Sequence, residues 1–477
     1  MRRRIGAGAR HAGARRAGGR GGGATFASMA TQAGGIPEPR TPPRVCVVGG
    51  GFGGLYTSLR MEGLQWPGRQ GAAAAAREAD IVLIDSQERF LFKPLMYELL
   101  TGEATRDEVA PTFASLLEGT GVRFEQAKVT SVTMATSSED DAAGTVVLDD
   151  GTDVPFDYLV VALGGVPLTS FVPGAKDVCL PFSTLSDVDR AAAALDAAKA
   201  RGGTPRVAVV GGGVSGAELA AAVASRDRGA VDVTLLCRDA DGVMPSAPPE
   251  LRRRVADVLA RLGVAVRASA SVSSAAPLEG EGKVSLSFNS ESGSDETFDV
   301  VFWCAGQEPA SAPVAALVNG TDLEVGSGAK PLAVAPTLQA LAHPRVFAVG
   351  DVASVATDKR GGGGGGFADG RTAQVAFQQS DYAAWNVWAT HYGRPLLPFR
   401  YQHLGEMLAL GPGEGAVAFP QLPEPFGAAL GTALDGWVAG VLRKAAYVYR
   451  QPTNGQRLKV LQAWASRPAL WLPPSAE

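Results

Sequence analysis

Two stretches of the chain carry one pattern: a short run of consecutive apolar residues, a glycine-rich turn, and then an apolar segment with helical spacing. The first run is Val45 to Val48, within Arg44 to Gly54, and it leads into Gly49, Gly51 and Gly54. The second lies within Arg206 to Gly216 and leads into Gly211, Gly213 and Gly216. Such runs predict buried parallel strands, and the glycine spacing predicts the opening of a helix. Each half then continues with another apolar strand, Ile81 to Ile84 closed by Asp85, and Val231 to Leu236. Alternating positions between Arg123 and Leu159, around Asp149-Asp150-Gly151, predict a hairpin, and a β-rich stretch with turn residues runs from Val264 to Thr297. Each half ends in a buried strand entered by Phe-Asp and closed by glycine: Phe156-Asp157 to Gly164, and Phe298-Asp299 to Gly306. The chain therefore contains an internal duplication.

After the second half come a strand, Arg345 to Val349, closed by Gly350-Asp351, and a helical segment, Arg371 to Ser380, with Gln374 and Gln378 on one face. The last stripe has apolar residues at Leu434, Trp437, Val438, Val441, Leu442 and Ala445, with a further one around Leu458, Leu461 and Trp464. The predicted fold class is α/β, with two dinucleotide-binding Rossmann-like domains followed by C-terminal membrane-associating amphipathic helices. The expected division is residues 1–40 as a transit or disordered segment, 41–200 as the first part of an FAD-binding domain and 201–334 as an NAD(P)H-binding domain. Residues 335–400 complete the first of these domains with the helix that bears Gln374 and Gln378, and 401–477 form the membrane-associating segment.

The length, 477 residues, suits about three domains. A formal charge of −4 conceals an asymmetry, because the first 37 residues hold seven arginines and no acid. This Gly-, Ala- and Arg-rich leader lacks the apolar core of a secretory signal and reads as an organellar transit peptide, with a basic tail for nucleic acid as the alternative. Cys46, Cys179, Cys237 and Cys304 form no CxxC or CxxxxC pair, which argues against redox-disulfide catalysis. No apolar run reaches the roughly 18 residues that span a bilayer. The insertion Leu64 to Arg77 is Gly- and Ala-rich, and the six glycines from Gly361 to Gly366 are read as a flexible insertion.

The glycine spacing binds pyrophosphate: one glycine permits the tight turn, the next lets backbone approach the anion, the third packs helix on strand, and the helix N-terminus offers free N–H groups. Two cradles imply two dinucleotides, a flavin and a nicotinamide. FAD is assigned to the first half, on Gly49, Gly51 and Gly54, with Asp85 for the ribose and Gly350-Asp351 for ribitol and phosphates. Asp85 can also be turn chemistry. The block Arg89 to Gly102 is too rich in aromatics for a surface loop and is expected to line a site, with Lys93 and Pro94, and Gly164 at the strand end, against FAD.

The nicotinamide nucleotide is assigned to Gly211, Gly213, Gly216 and Gly306. Here the second strand ends in Cys237-Arg238 rather than in an acid. A carboxylate about 4 Å from a 2′-phosphate would repel it by roughly 4 kcal/mol at an effective dielectric of about 20. Its absence, with Arg238 available, favours NADPH over NADH, unless Arg238 is only a solvated charge. Gln374 and Gln378 either bond a substrate carbonyl or cap backbone groups. In the C-terminal stripe, Arg443, Lys444, Arg450, Arg457, Lys459 and Arg467 accompany one acid, Asp435, between positions 434 and 476. A basic amphipathic helix with tryptophans suits a membrane interface; packing on the protein's own core or in a homodimer is the alternative.

Taken together, Gly49 to Tyr56, Phe92-Lys93-Pro94-Leu95-Met96-Tyr97-Glu98, Gly211 to Glu218, Gly350-Asp351, Ala373-Gln374-Val375-Ala376-Phe377-Gln378 and Arg394 to Met407 resemble the type II NAD(P)H:quinone oxidoreductases, in particular their plant and algal plastid branch. The resemblance spans nearly everything from Arg44 onward. It implies a two-domain flavoprotein at a membrane surface that takes a hydride from NADPH or NADH onto FAD and reduces a prenylated quinone; no metal or iron–sulfur ligand set is visible in the sequence, so proton pumping is not expected. In the plastid branch the implied quinones are a demethyl-naphthoquinone precursor of phylloquinone, and plastoquinone. It further implies that Gln374 and Gln378 line the quinone site, and that Glu218 lies near nicotinamide and flavin to organise hydride transfer or relay a proton. The implied location is the chloroplast, at thylakoid or plastoglobule surfaces, with the mitochondrion as a second destination. The missing acid after Leu236 departs from the family pattern. Rival readings are a disulfide reductase, a sulfide:quinone reductase, and a flavin-bound signalling module.

Overall fold

The computed structural model describes residues 42–66, 79–137, 139–289, 295–315, 330–355, 372–419 and 433–467. The leader, most of the insertion after Leu64, and the run Gly361 to Gly366 lie outside the described residues. In the first half, five strands run parallel in the order His343–Ala348, Tyr158–Val161, Arg44–Val48, Asp80–Asp85 and Arg123–Gln126. The second half repeats the plan with Val300–Trp303, Arg206–Val210, Asp232–Leu236 and Ala265–Arg267. The central strands are buried along their whole apolar runs, as strands covered by helices on both faces must be. A three-stranded antiparallel sheet is inserted in each half, Val129–Met134 to Asp153–Phe156 and Val272–Leu278 to Glu296–Phe298.

The Phe-Asp signature at each closing strand has a physical cause. Asp157 Oδ2 accepts from the backbone N–H of Arg44 at 2.8 Å, and Asp299 Oδ2 accepts from that of Arg206 at 2.9 Å. Each aspartate thus ties the base of the third strand to the first residue of the glycine strand, where the ladder has no further backbone partner. The preceding phenylalanines, Phe156 and Phe298, are buried.

The halves exchange material in three places. Gly165–Pro167 pairs antiparallel with Gln307–Pro309, so the two strand exits are hydrogen-bonded to one another. The aromatic block is split: Phe90 and Phe92 enter the first core, whereas Met96, Tyr97 and Leu100 on the helix Met96–Thr101 enter the second. Leu180–Pro181 joins the second sheet beside Phe302 and Trp303, and the helix Leu185–Ala200 buries Val188, Ala191 and Leu195 in the second core. The segment from Leu180 to Ala200 thus packs with the second sheet, through the apolar face of that helix.

The C-terminal segment holds a three-stranded antiparallel sheet, Glu406–Ala409, Gly415–Ala418 and Ala433–Asp435, before the helices Gly436–Tyr449 and Asn454–Ala465. The expected apolar stripe is not the packed face of the first helix. Ala439, Gly440, Arg443, Lys444 and Val448 face inward, and Val438, Leu442 and Tyr449 face solvent. Arg443 pairs with Glu98, Lys444 lies 3.3 Å from Glu103, and Arg467 pairs with Glu108. Three of the six basic residues read as a membrane-facing set are therefore spent inside the protein. Among the described residues no helix is long and apolar enough to cross a membrane.

Candidate active site

The two glycine turns are the same object built twice. A Cβ added at Gly49 would lie 2.4 Å from the carbonyl oxygen of Ala162, and one at Gly211 would lie 2.5 Å from that of Cys304. Both residues have positive φ, +98° and +121°, which a side chain would strain. A Cβ at Gly54 or Gly216 would stand 1.8 Å from the oxygen of Gly49 or Gly211, so helix and turn touch backbone to backbone. At Gly51 and Gly213 a Cβ would meet nothing within 4 Å, and these positions face open cavity. This surface suits a pyrophosphate: exposed N–H groups at a helix start, with no side chain between them and the anion.

The first cradle opens into a cavity of about 600 Å³ lined by Gly49, Gly51, Asp85, Lys93, Gly164, Gly350 and Asp351 among others. Asp85 accepts from the Gly50 N–H at 2.6 Å and the Gln87 N–H at 2.7 Å, while burial pushes its carboxyl above the usual range. The carboxylate both holds the turn and faces the cavity. Gly350, at φ +73°, donates its N–H to Gln379 Oε1 at 2.6 Å. Gln379 is 2 % exposed and fixes the Gly350-Asp351 corner, a role the sequence reading passed over in favour of its neighbours. Pro94 does not line this cavity. It lies against the third one described below, because the short helical turn at Lys93–Leu95 directs the two residues to different sides.

The second cradle opens into a cavity of about 440 Å³ that includes Gly211, Gly213, Arg238 and Gly306. Cys237 is fully buried, and a Cβ at Gly212 would meet its Sγ at 2.6 Å; in the first half Asp85 stands in the same relation to Gly50. Burial pushes the Cys237 thiol up to about 11, and those of Cys179 and Cys304 to about 12. All four cysteines are free. Thiols held protonated in this way make poor nucleophiles, whereas a disulfide reductase needs a reactive thiolate. Arg238 is exposed at the rim of the cavity.

A third cavity, about 290 Å³, lies between the other two. It shares Phe52, Thr372 and Ala373 with the first and Val214 and Glu406 with the second. Its walls are mainly apolar or aromatic, among them Phe92, Pro94, Phe377, Met407 and Tyr447. Gln374 lines it, but its amide is engaged: Oε1 accepts from Tyr401 Oη and the Leu404 N–H, each at 2.8 Å, and Nε2 donates to the Gly405 carbonyl at 3.2 Å. Gln378 does not line it. Its amide exchanges two hydrogen bonds with the backbone of Gln402, at 2.7 and 2.9 Å. The two glutamines thus clamp residues 401–405 to the helix Ala373–His391, the backbone-capping alternative.

Glu218, expected beside nicotinamide and flavin, lines none of the three cavities. It sits inside the helix Val214–Arg226, 5 % exposed, and accepts from the Ala409 N–H at 2.8 Å. Burial pushes its carboxyl up to about 8. Helical spacing places it on the packed side, against the strand that carries Glu406. Glu406 itself escaped the sequence reading, although a lone acid within Leu404-Gly405-Glu406-Met407-Leu408 was the available signal. Among the described residues no cluster of His, Cys, Asp or Glu could hold a metal ion.

Two phosphate cradles of this kind, with an apolar chamber between them, define a flavin- and nicotinamide-nucleotide-dependent oxidoreductase. A model of the pyridine nucleotide-disulphide oxidoreductase family matches residues 43–380. The chain is 36 % identical over 450 residues to an alternative NAD(P)H-ubiquinone oxidoreductase C1, chloroplastic/mitochondrial, of Arabidopsis thaliana, with 90 % of this chain and 81 % of the relative covered. It is 37 % identical over 433 residues to the demethylphylloquinone reductase NdbB of Synechocystis, covering 89 % and 96 %. In fold it is similar to NDH2 from Plasmodium falciparum, solved in complex with NADH, at a TM-score of 0.70 and 14 % identity over 90 % of this chain and 99 % of that one. The chain belongs to the pyridine nucleotide-disulphide oxidoreductase family, in its branch of type II NAD(P)H:quinone oxidoreductases.

Proposed function

We propose that the protein carries electrons from NADPH, or more slowly NADH, through FAD to a prenylated quinone of a plastid membrane, with the mitochondrion as a second location. The observation that carries this reading is the sharing of walls: one apolar chamber borders both nucleotide cavities, so a ring system at the seam reaches a donor on one side and an acceptor on the other. FAD suits the first cavity, where Gly49 and Gly51 would hold the pyrophosphate on the turn that Gly54 packs against, Asp85 the ribose, and Lys93, Gly164, Gly350 and Asp351 the remainder. When bound, the flavin supplies two-electron chemistry that no side chain here offers. The chain's share is to bind, orient and exclude water. Phe52, Phe90, Phe92 and Tyr56 pack edge to face beside the chamber, with Phe52 and Tyr56 stacked, which keeps its floor rigid and dry. Glu218 acts by position, bracing the strand Glu406–Ala409 through the Ala409 N–H.

The C-terminal helices meet the membrane by the apolar stripe that carries Val438 and Leu442, with Leu458 and Leu461 on the second helix, while Arg443 and Lys444 turn inward. Leu404 lines the third cavity and is 42 % exposed, while Tyr447 and Arg450 bring the helix Gly436–Tyr449 to the same mouth. A lipid-soluble quinone would enter there. In the chosen plastid setting the substrate is a demethylated naphthoquinone or plastoquinone. The test is spectroscopic: anaerobic NADPH should bleach the yellow absorbance of the purified full-length protein within seconds, and menadione should restore it. A protein that bleaches but is not reoxidised by any quinone has a different acceptor. One that does not bleach is no NAD(P)H oxidoreductase.

A further inference from the structure

Glu406 is the carboxylate that the two inner cavities share. It opens the strand Glu406–Ala409, whose pairing with Gly415–Ala418 sets Glu406 opposite Ala418 and fixes where its side chain leaves the backbone. From there it lines both the cavity of the second cradle and the apolar chamber. Its Oε2 is buried and has no hydrogen-bond partner. A buried carboxyl oxygen left unpaired costs free energy that apolar walls do not return, so such a group is normally satisfied by a ligand or kept protonated. Glu218, which reaches the far end of the same strand from the helix Val214–Arg226, differs in both respects: its Oε1 accepts from the Ala409 N–H, and it lines none of the three cavities.

We propose that Glu406 is the proton donor to the quinone in the chamber. This rests on the quinone reading above. The balance is simple. Reduction of a quinone to a quinol needs two electrons and two protons; the electrons and one proton derive from NAD(P)H through the flavin. The second proton comes from Glu406, whose carboxyl O–H bond breaks as a quinone oxygen gains its hydrogen, leaving a carboxylate that solvent reprotonates. His403 is placed for that return. It is half-buried at the edge of the chamber, its Nδ1 lies 3.4 Å from Tyr401 Oη, and its charge favours the carboxylate form of Glu406. Burial works the other way and raises the Glu406 carboxyl, which keeps an acid available nearer neutral pH, where a donor is most effective.

Other ionisable groups surround it. On the chamber side these are Tyr401, His403, Tyr447 and Arg450, and on the nucleotide side Arg238, Asp239 and Cys304. Burial raises the two tyrosines and the cysteine further above their ordinary range.

The experiment is rapid-mixing reoxidation of the NADPH-reduced full-length protein by menadione, from pH 5 to 9, for wild type, Glu406→Gln and Glu406→Asp. Wild type should slow as pH rises. E406Q should be about a hundredfold slower at low pH, within the range that general acids contribute, and flat with pH; E406D should keep a displaced limb. E406Q within about threefold of wild type and with the same limb overturns the proposal. Should E406Q hold no flavin, a flat E406D profile overturns it and a displaced limb sustains it. Infrared difference spectra give a readout apart from turnover: a carboxylic-acid band titrating with the wild-type limb and missing in E406Q supports the assignment, and its presence in E406Q refutes it. Wild type that no quinone reoxidises would instead refute the quinone reading itself.

Discussion

Arg443 and Glu98 form an ion pair in which each side chain is 2 % exposed, joining the helix Gly436–Tyr449 to the helix Met96–Thr101. Lys444 adjoins it, 3.8 Å from Glu98 and 3.3 Å from Glu103, and Glu103 also accepts from the Gly413 N–H at 3.1 Å. This buried cluster is the internal anchor of the C-terminal segment.

Such a pair costs more to break than to replace. Arg443→Ala strands Glu98 with only the more distant Lys444, and by the general behaviour of buried pairs it should cost about 3–5 kcal/mol. The double variant R443M/E98M removes both charges, leaves Lys444 to Glu103, and should recover most of that loss. Urea denaturation of the holoprotein checks the order: single variant far below wild type, double variant near it.

The proposed preference for NADPH is tested at Cys237. The thiol occupies the place that Asp85 holds in the first half, so Cys237→Asp rebuilds an acid at the strand end, close to a 2′-phosphate. The NADPH-to-NADH ratio of kcat/KM should fall by at least about tenfold, which is about 1.4 kcal/mol and well within the repulsion available. Arg238→Ala should lower the NADPH value alone. An unchanged ratio in both variants would remove the basis for an NADPH preference.

The duplicated cradles were legible in the sequence because their glycines answer to backbone contacts that any side chain would break, as at Gly54 and Gly216. The Phe-Asp entries were visible as pattern, and their cause is the bonds from Arg44 and Arg206. What sequence could not supply is direction. Arg443 and Lys444 look like surface cations until Glu98 and Glu103, more than 340 positions away, are placed against them. Gln374 and Gln378 carry the right groups for a substrate carbonyl, yet the backbone of residues 401–405 takes those groups first. Glu218 and Glu406 differ in role through which side of one strand they face, a tertiary fact.

Glu218 should leave a mark on stability against pH. Its folded value near 8 lies above the value of about 4.3 expected for an unfolded glutamate. Between these values the folded state binds the extra proton, so stability is fully present below about pH 4 and declines as pH rises towards 8, by at most about 1.4 kcal/mol per unit. Glu218→Gln keeps an oxygen for the Ala409 N–H and cannot ionise. The difference in melting temperature, E218Q minus wild type, should therefore grow from pH 5 to pH 8. A constant difference would show that Glu218 is not held protonated.

The outward face of the C-terminal helices makes the last prediction. Val438 (52 % exposed), Leu442 (39 %) and Tyr449 (74 %) lie at helical spacing on one helix, and Leu458 (56 %) and Leu461 (45 %) on the next. The Arg457 guanidinium lies 5.4 Å over the Tyr449 ring and links the two faces. Large apolar groups left in water at this density are a membrane or partner surface, and their place on the helix that reaches the mouth of the apolar chamber at Leu404 and Arg450 favours a membrane. Burying one leucine in the interface is worth about 1.5–3 kcal/mol. Leu442→Glu combined with Leu461→Glu should therefore weaken flotation with anionic vesicles by about a hundredfold or more, while flavin content and menadione reduction report that the protein is folded. Because Arg443, Lys444 and Arg467 are committed to Glu98, Glu103 and Glu108, raised salt should weaken vesicle binding less than the two leucine substitutions do. Binding lost to salt but untouched by the double variant would assign the attachment to charge instead of this apolar face.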